Sequence, residues 1–261
     1  MITIDIAYAL ARIEELADKV KAYLSEVDVD WSQTGVLAGQ HHGDVAVDTM
    51  CVEFLTINGF AVFSEESGFS NPIKTPNELL VVLDPVDGST NASRGLPQYA
   101  LSAGLLHNEC LVGGYVLDLT SGTKYWAAKG LGATWNGTPL GPAKSTTALS
   151  KSIVAINGYP KRHLGWGQYR AFGSASLELC MVASGQLDAF IDCSRFGLAP
   201  WDYMGALALL NETSCVVEPL GENDLSPEIE PFGARRRLVV ARSAAILEEL
   251  RLAWSESIEP E

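Results

Sequence analysis

Leu79–Asn91, LLVVLDPVDGSTN, is an unbroken apolar run that empties into a turn carrying two acids, two hydroxyls and a glycine. The run from Leu79 to Leu83 is short and bounded by Asn77 and Asp84-Pro85, which predicts a strand covered on both faces. Pro85 lacks a backbone donor and fixes its own φ, so the strand is expected to stop there. Gly88 then lets the chain turn so that Asp84 and Asp87 converge. Two carboxylates that close repel each other unless a cation lies between them. Oxygen ligands without Cys or His suit a hard ion, Mg²⁺ before Zn²⁺. Taken alone, D-x-x-D-G is equally at home as a plain surface turn.

Upstream, Phe60–Ser64 predicts a second short strand, which delivers Glu65 and Glu66 at its exit. If the two strands lie side by side, Glu65 reaches the same cation as Asp84. Before it, Val47, Met50, Cys51, Phe54 and Leu55 mark a helix ended by Asn58-Gly59, with Asp48 in its first turns. An exposed acid at the positive end of a helix dipole is the plain reading of Asp48. Ile6, Leu10, Ile13, Leu16, Val20 and Leu24 recur at helical spacing and predict an amphipathic opening helix. A polar bend through Gly35–Gly43 separates the two helices, and Asn71–Asn77 reads as a loop.

Downstream, strands punctuated by turn residues run from Tyr99 to Asn136 and predict an antiparallel meander. The remainder alternates: a strand at Ser152–Ile156, a helix opened by Phe172-Gly173-Ser174, a strand at Leu187–Asp192 and a helix from Trp201-Asp202 to Asn211 follow. A strand at Leu238–Ala241 and a helix from Ser243 to Trp254 close the chain, and residues 218–237 read as a loose surface excursion. The halves are expected to divide near residue 145, as 1–145 and 146–261 of one compact catalytic unit.

The chain has 261 residues, 47% of them hydrophobic, and a formal net charge of −14. That balance argues against nucleic acid or an anionic membrane as partner, since both need a basic surface. It leaves room for a small phosphorylated substrate, because acids that bind divalent cations invert their local field. No apolar run approaches a bilayer span and no secretory leader is legible, so a cytoplasmic protein is expected. Five cysteines without CxxC spacing suggest neither a disulfide framework nor a zinc site.

Glu65-Glu66-Ser67-Gly68, Asp84-Pro85-Val86-Asp87-Gly88-Ser89-Thr90-Asn91 and Trp201-Asp202, in this order, resemble the inositol monophosphatase superfamily of Mg²⁺-dependent, lithium-sensitive phosphatases. Gly173-Ser174-Ala175 and the terminal Val239-Val240-Ala241 extend the likeness over most of the chain. The resemblance implies an α+β fold, a layered α-β-α-β-α sandwich, and a homodimer. It implies two or three Mg²⁺ ions held by Glu65, Asp84, the carbonyl of Val86, Asp87 and Asp202, and a phosphate on the amides of Gly88 and Ser89. Asp48 takes the place of the acid that pairs with the Ser89 hydroxyl to activate water, although Gly43–Val47 before it lacks the family's usual Thr and basic residue. Glu65 joins Asp48 and Ser89 as a catalytic residue.

Substrate selection is carried over to Ser174, Ala175 and Asp192, with Asp192 on a polyol hydroxyl. Arg195 either grips a second phosphate or pairs with a neighbour. The activity implied is hydrolysis of myo-inositol monophosphate or a related polyol or sugar phosphate. Fructose 1,6-bisphosphate, histidinol phosphate and 3′-phosphonucleotides stand as alternatives, and so does a metal- and ligand-binding module without turnover.

Overall fold

The computed structural model describes residues 5–34, 36, 40–70, 78–143, 148–220 and 235–255. Two helices open the chain, α1 (Ile6–Glu26) and α2 (His42–Ile57). The sheet begins with β1 (Ala61–Ser64), β2 (Gly68–Ser70) and β3 (Leu80–Asp87), followed by a short helix α3 (Ser89–Ser93). The meander is β4 (Ala100–His107), β5 (Cys110–Asp118), β6 (Lys124–Ala128), β7 (Gly132–Trp135) and β8 (Thr138–Pro139). Then come β9 (Ile153–Asn157), β10 (Gln168–Arg170), α4 (Ala175–Ser184), β11 (Ala189–Asp192) and α5 (Pro200–Glu212). The last elements are β12 (Val216–Pro219), β13 (Leu238–Ala241) and α6 (Ala244–Ser255).

The strands form an eight-stranded sheet in the order β2-β1-β3-β4-β5-β6-β7-β8 and a five-stranded sheet in the order β10-β9-β11-β13-β12. Three apolar clusters fill the spaces between layers. Val81 and Leu83 face α1 and α2 through Ile13, Leu16 and Val47, whereas Leu80 and Val82 face the cluster that holds α4 and α5. A third cluster joins the second sheet to α6 through Ile191, Val239, Ile246 and Leu250. The result is the layered α-β-α-β-α sandwich. A strand buried on both faces must be apolar at every position, which is why LLVVL shows no alternation.

β3 does not stop at Pro85. It runs to Asp87, and its pairing with β4 skips from Asp84↔Ser102 to Asp87↔Ala100. A bulge of this kind accommodates a residue that cannot donate to the ladder, so the proline bends the strand instead of ending it. The expected excursion at 218–237 is also shorter, because Glu218 and Pro219 pair with Val239 and Leu238 in β12 and β13. Residues 221–234 of it lie outside the described residues, as does the loop expected at Asn71–Asn77.

Helix α5 sits unusually close to the sheet. A Cβ on Gly205 would come within 2.6 Å of Ser102 Oγ and 3.2 Å of the Tyr115 carbonyl oxygen, and one on Gly104 within 2.6 Å of Met204 Cβ. Trp201 at the start of the helix meets Phe63 of β1 edge-on, with ring centroids 5.4 Å apart. These contacts set the height at which the first turn of α5 meets the ends of β1 and β3.

Candidate active site

β1 and β3 run parallel with Ser64 opposite Leu83. The Glu65 amide continues the ladder onto the Leu83 carbonyl at 3.1 Å. Glu65 and Asp84 therefore emerge together. Asp202 arrives from α5, and the three acids each offer a carboxylate oxygen within 4.8 Å of the others'. Asp202 is not the N-cap of its helix: that place is Ala199, and Asp202, three residues on, reaches back to accept the Ala199 amide at 2.7 Å. Asp84 Oδ1 likewise accepts the Val86 amide at 3.0 Å, holding the bulge.

Burial is the first cause that raises the carboxyls of Asp84, Asp87 and Asp202, with Asp202 pushed up to about 7 and Asp87 next among its causes. Glu65 is raised by desolvation and then by Asp202. It is exposed at the rim, so water screens part of that effect. Burial raises all four carboxyls and repulsion from neighbouring acids adds to it at Glu65, Asp84 and Asp202, so a cation would relieve the site. The donors are carboxylates only, which fits a hard divalent ion.

Asp87 is held differently from the other three. Its Oδ2 accepts Ser174 Oγ at 2.7 Å, the Ser176 amide at 2.7 Å and Ser176 Oγ at 2.5 Å. Ser174, expected to select substrate, is thus spent on Asp87, and Ala175 is buried in the first turn of α4. Asn91 Nδ2 ties the two segments together through the carbonyls of Gln98 at 2.8 Å and Phe172 at 2.7 Å. Gly88 takes φ +94° between Asp87 and Ser89, where an added Cβ would stand 3.0 Å from the carbonyl oxygens of Gln98 and Gly173. Only glycine turns there without strain.

Among the described residues, no hydrogen bond joins Asp48 to Ser89. Asp48 is buried, not exposed, and accepts Ser64 Oγ at 2.5 Å, with Ser67 also favouring its charged form. It braces the hairpin turn that carries Glu65. Asp44, one helical turn earlier on α2, is raised first by burial, an effect that His41 and, least of all, Ser89 offset. Its Oδ1 is buried without a hydrogen-bond partner. The signal in the sequence was the i, i+4 pair Asp44 and Asp48, which share one face of the helix.

Asp192 ends β11 fully buried, with Oδ1 accepting Asn157 Nδ2 at 3.1 Å and the Ser194 amide at 2.9 Å. Its Oδ2 has no hydrogen-bond partner. Arg195 is exposed and lies over the Phe196 ring at 5.3 Å. Among the described residues Arg235 approaches the acids, its Nη1 3.8 Å from Asp202 Oδ2 and 3.2 Å from the Gly197 carbonyl oxygen. Both arginines line one groove of about 170 Å³ with Arg236 and Arg237.

A layered sandwich gathers three carboxylates where parallel strands end, a group that could hold a metal ion. The chain belongs to the inositol monophosphatase family, whose family model matches residues 45–259. Among characterised relatives, inositol-1-monophosphatase of Bacillus subtilis (strain 168) is 34% identical over 193 residues, 68% of this chain and 67% of that protein. Fructose-1,6-bisphosphatase/inositol-1-monophosphatase of Archaeoglobus fulgidus is 33% identical over 152 residues, 57% of each chain. The matched portion thus spans between about half and two thirds of these relatives. The structure of inositol monophosphatase from Anabaena (Nostoc) sp. PCC 7120 superposes with a TM-score of 0.76 at 25% identity, covering 98% of both chains.

Proposed function

We propose that this chain is a Mg²⁺-dependent phosphomonoesterase that hydrolyses myo-inositol monophosphate or a related polyol or sugar phosphate. The observation that carries the reading is the meeting of Glu65, Asp84 and Asp202 within 4.8 Å. Glu65, Asp84, the Val86 carbonyl, Asp87 and Asp202 would hold the ions. When bound, they supply positive charge to the phosphate oxygens and acidify water.

The chain's own groups do the rest. The amides of Gly88 and Ser89 orient the phosphate, and Asp44 takes the proton of the attacking water with Ser89 between them. Asp44 replaces Asp48 in that role because its buried Oδ1 is unpartnered, while Asp48 is committed to Ser64. Attack in line on phosphorus releases the alcohol and inorganic phosphate without a phosphoenzyme. Asp192 Oδ2, also buried and unpartnered, accepts a hydroxyl of the polyol. Arg195 and Arg235 would grip a second phosphate if the substrate carries one. A homodimer and a cytoplasmic site of action belong to the same proposal; among the described residues no helix is long and apolar enough to cross a membrane.

Relatives named Nus factor SuhB, such as that of Pseudomonas aeruginosa at 32% identity over 174 residues, favour a second reading in which the fold serves binding. Phosphate release with Mg²⁺, measured against a panel of phosphomonoesters for wild type and Asp84→Asn, separates the two. Turnover lost in Asp84→Asn supports the phosphatase. Metal binding without phosphate release from any ester supports the binding role.

A further inference from the structure

His41 stands immediately before α2 and is buried, only 8% exposed. Its backbone N–H donates to Asp44 Oδ2 at 3.0 Å, and its ring Nδ1 meets the same oxygen at 3.1 Å. With Asp44 ionised its oxygen is an acceptor, so the pairing assigns the hydrogen to Nδ1. Two donors from one residue thus converge on one oxygen of Asp44 and leave the other, Oδ1, without a protein partner.

The ring has little freedom to leave. It meets the Trp31 indole edge-on at 6.3 Å, and the Trp31 ring lies so close over α2 that a Cβ on Gly43 would come within 2.7 Å of it. The backbone on either side is paired: Thr34 N–H to the Gln40 carbonyl and His42 N–H to the Ser32 carbonyl, each at 3.0 Å. Next door, Gln40 Nε2 donates to Glu66 Oε2 at 2.5 Å while its Oε1 accepts Thr34 Oγ1 at 2.9 Å. Gln40 and His41 just before α2 thus brace Glu66 and Asp44.

We propose that His41 is a positioning residue for hydrolysis: by taking Asp44 Oδ2 with two hydrogen bonds, it fixes the carboxylate plane and directs Oδ1 toward Ser89 and the attacking water. This rests on the assignment of Asp44 as the proton acceptor. The ring touches neither substrate nor metal ligand; it acts through Asp44. A carboxylate held at one oxygen keeps a single orientation, and orientation of the reacting groups is a large part of the barrier that a protein can remove.

The test compares His41→Ala with His41→Gln, which keeps a side-chain N–H donor. His41→Ala is expected to lower kcat about 10- to 100-fold with KM and the Mg²⁺ half-saturation unchanged, and His41→Gln to recover most of the loss. An activity-independent arm reads the ring directly: ¹⁵N NMR of histidine-labelled wild type should show a protonated Nδ1 whose resonance shifts in Asp44→Ala. Wild-type kcat in His41→Ala overturns the proposal. So does an equal fall in both variants accompanied by lost Mg²⁺ binding, or an Nδ1 that is unprotonated and indifferent to Asp44→Ala. If wild type releases no phosphate from any ester, the phosphatase reading fails by itself, and the NMR arm decides whether His41 orients Asp44.

Discussion

Glu65 and Asp84 leave adjacent parallel strands at the same level, because Ser64 lies opposite Leu83 in the ladder. Register makes neighbours of two acids nineteen positions apart, and the bulge after Asp84 turns Asp87 toward the same region. A one-residue slip would reverse the facing of every side chain in β1 and bury the acid in the wrong layer.

The cluster ties stability to pH in the metal-free protein. Asp202 is raised from its ordinary value of 3.8 to about 7. An acid raised in the folded state contributes stability that is fully present below pH 3.8 and is lost as pH climbs through about 7. Thermal unfolding in chelator should therefore show a melting temperature that falls between about pH 4 and 7. Added Mg²⁺ should restore it at pH 7 and above, because the ion binds the ionised, folded form.

Asp84→Asn should separate folding from function. Removing one of the mutually repelling acids is expected to raise the melting temperature of the metal-free protein at pH 8. Mg²⁺ should no longer raise it further, and phosphate release should fall about 100-fold or more. An unchanged response to Mg²⁺ in calorimetry would show that the cluster is not where the ion sits.

Asp44 and Asp48 predict opposite phenotypes. Asp44→Asn should abolish most turnover while retaining Mg²⁺ affinity. Asp48→Ala should destabilise the fold by about 1–3 kcal/mol, since Ser64 Oγ loses its buried acceptor, and weaken Mg²⁺ binding by loosening the Glu65 turn. Chemical denaturation and metal titration of the two variants check this.

Gly205→Ala should act at a distance. The new methyl must push α5 off the sheet at Ser102 and the Tyr115 carbonyl, an overpacking that costs about 1–3 kcal/mol. Because the same helix carries Asp202, Mg²⁺ affinity should fall along with stability. Gly141→Ala, whose added Cβ would meet nothing within 4 Å, is the control.

Glu178 lies buried where α4 begins, accepting the Phe172 amide at 2.5 Å, and its carboxyl is raised to about 8, first by burial. The stability it confers is full below its ordinary value of 4.5 and is lost as pH rises through about 8. Glu178→Gln, isosteric and uncharged, should remove a pH dependence of a few kcal/mol across that window, each pKa unit being worth about 1.4 kcal/mol. Denaturant midpoints at pH 5 and pH 8 measure it.

Most elements were legible where a single period dominates. The opening helix and the meander follow from spacing and turn residues; between β4 and β5 the chain turns at Asn108 and Glu109, both at positive φ. Pro85 misled because a rule about one residue's donor ignores the bulge that absorbs it. Asp44 and Asp48, four apart on one helix, are indistinguishable by spacing; the His41 and Ser64 contacts that set them apart exist only in three dimensions. Arg235 was hidden inside a stretch that reads as surface, although the return strand brings it back beside Asp202.

The amino-acid order alone determined which residues could carry the chemistry, because apolar runs ending in acids and glycine dictate strands that deposit carboxylates at their exits. Tertiary structure decided which carboxylate meets which partner. Layer packing set the depth of α5 through Gly205, and the parallel register set the height of Glu65 against Asp84. Local propensity acts over a few residues, whereas these meetings join groups from nineteen to more than a hundred positions apart, so only the packed layers could fix them.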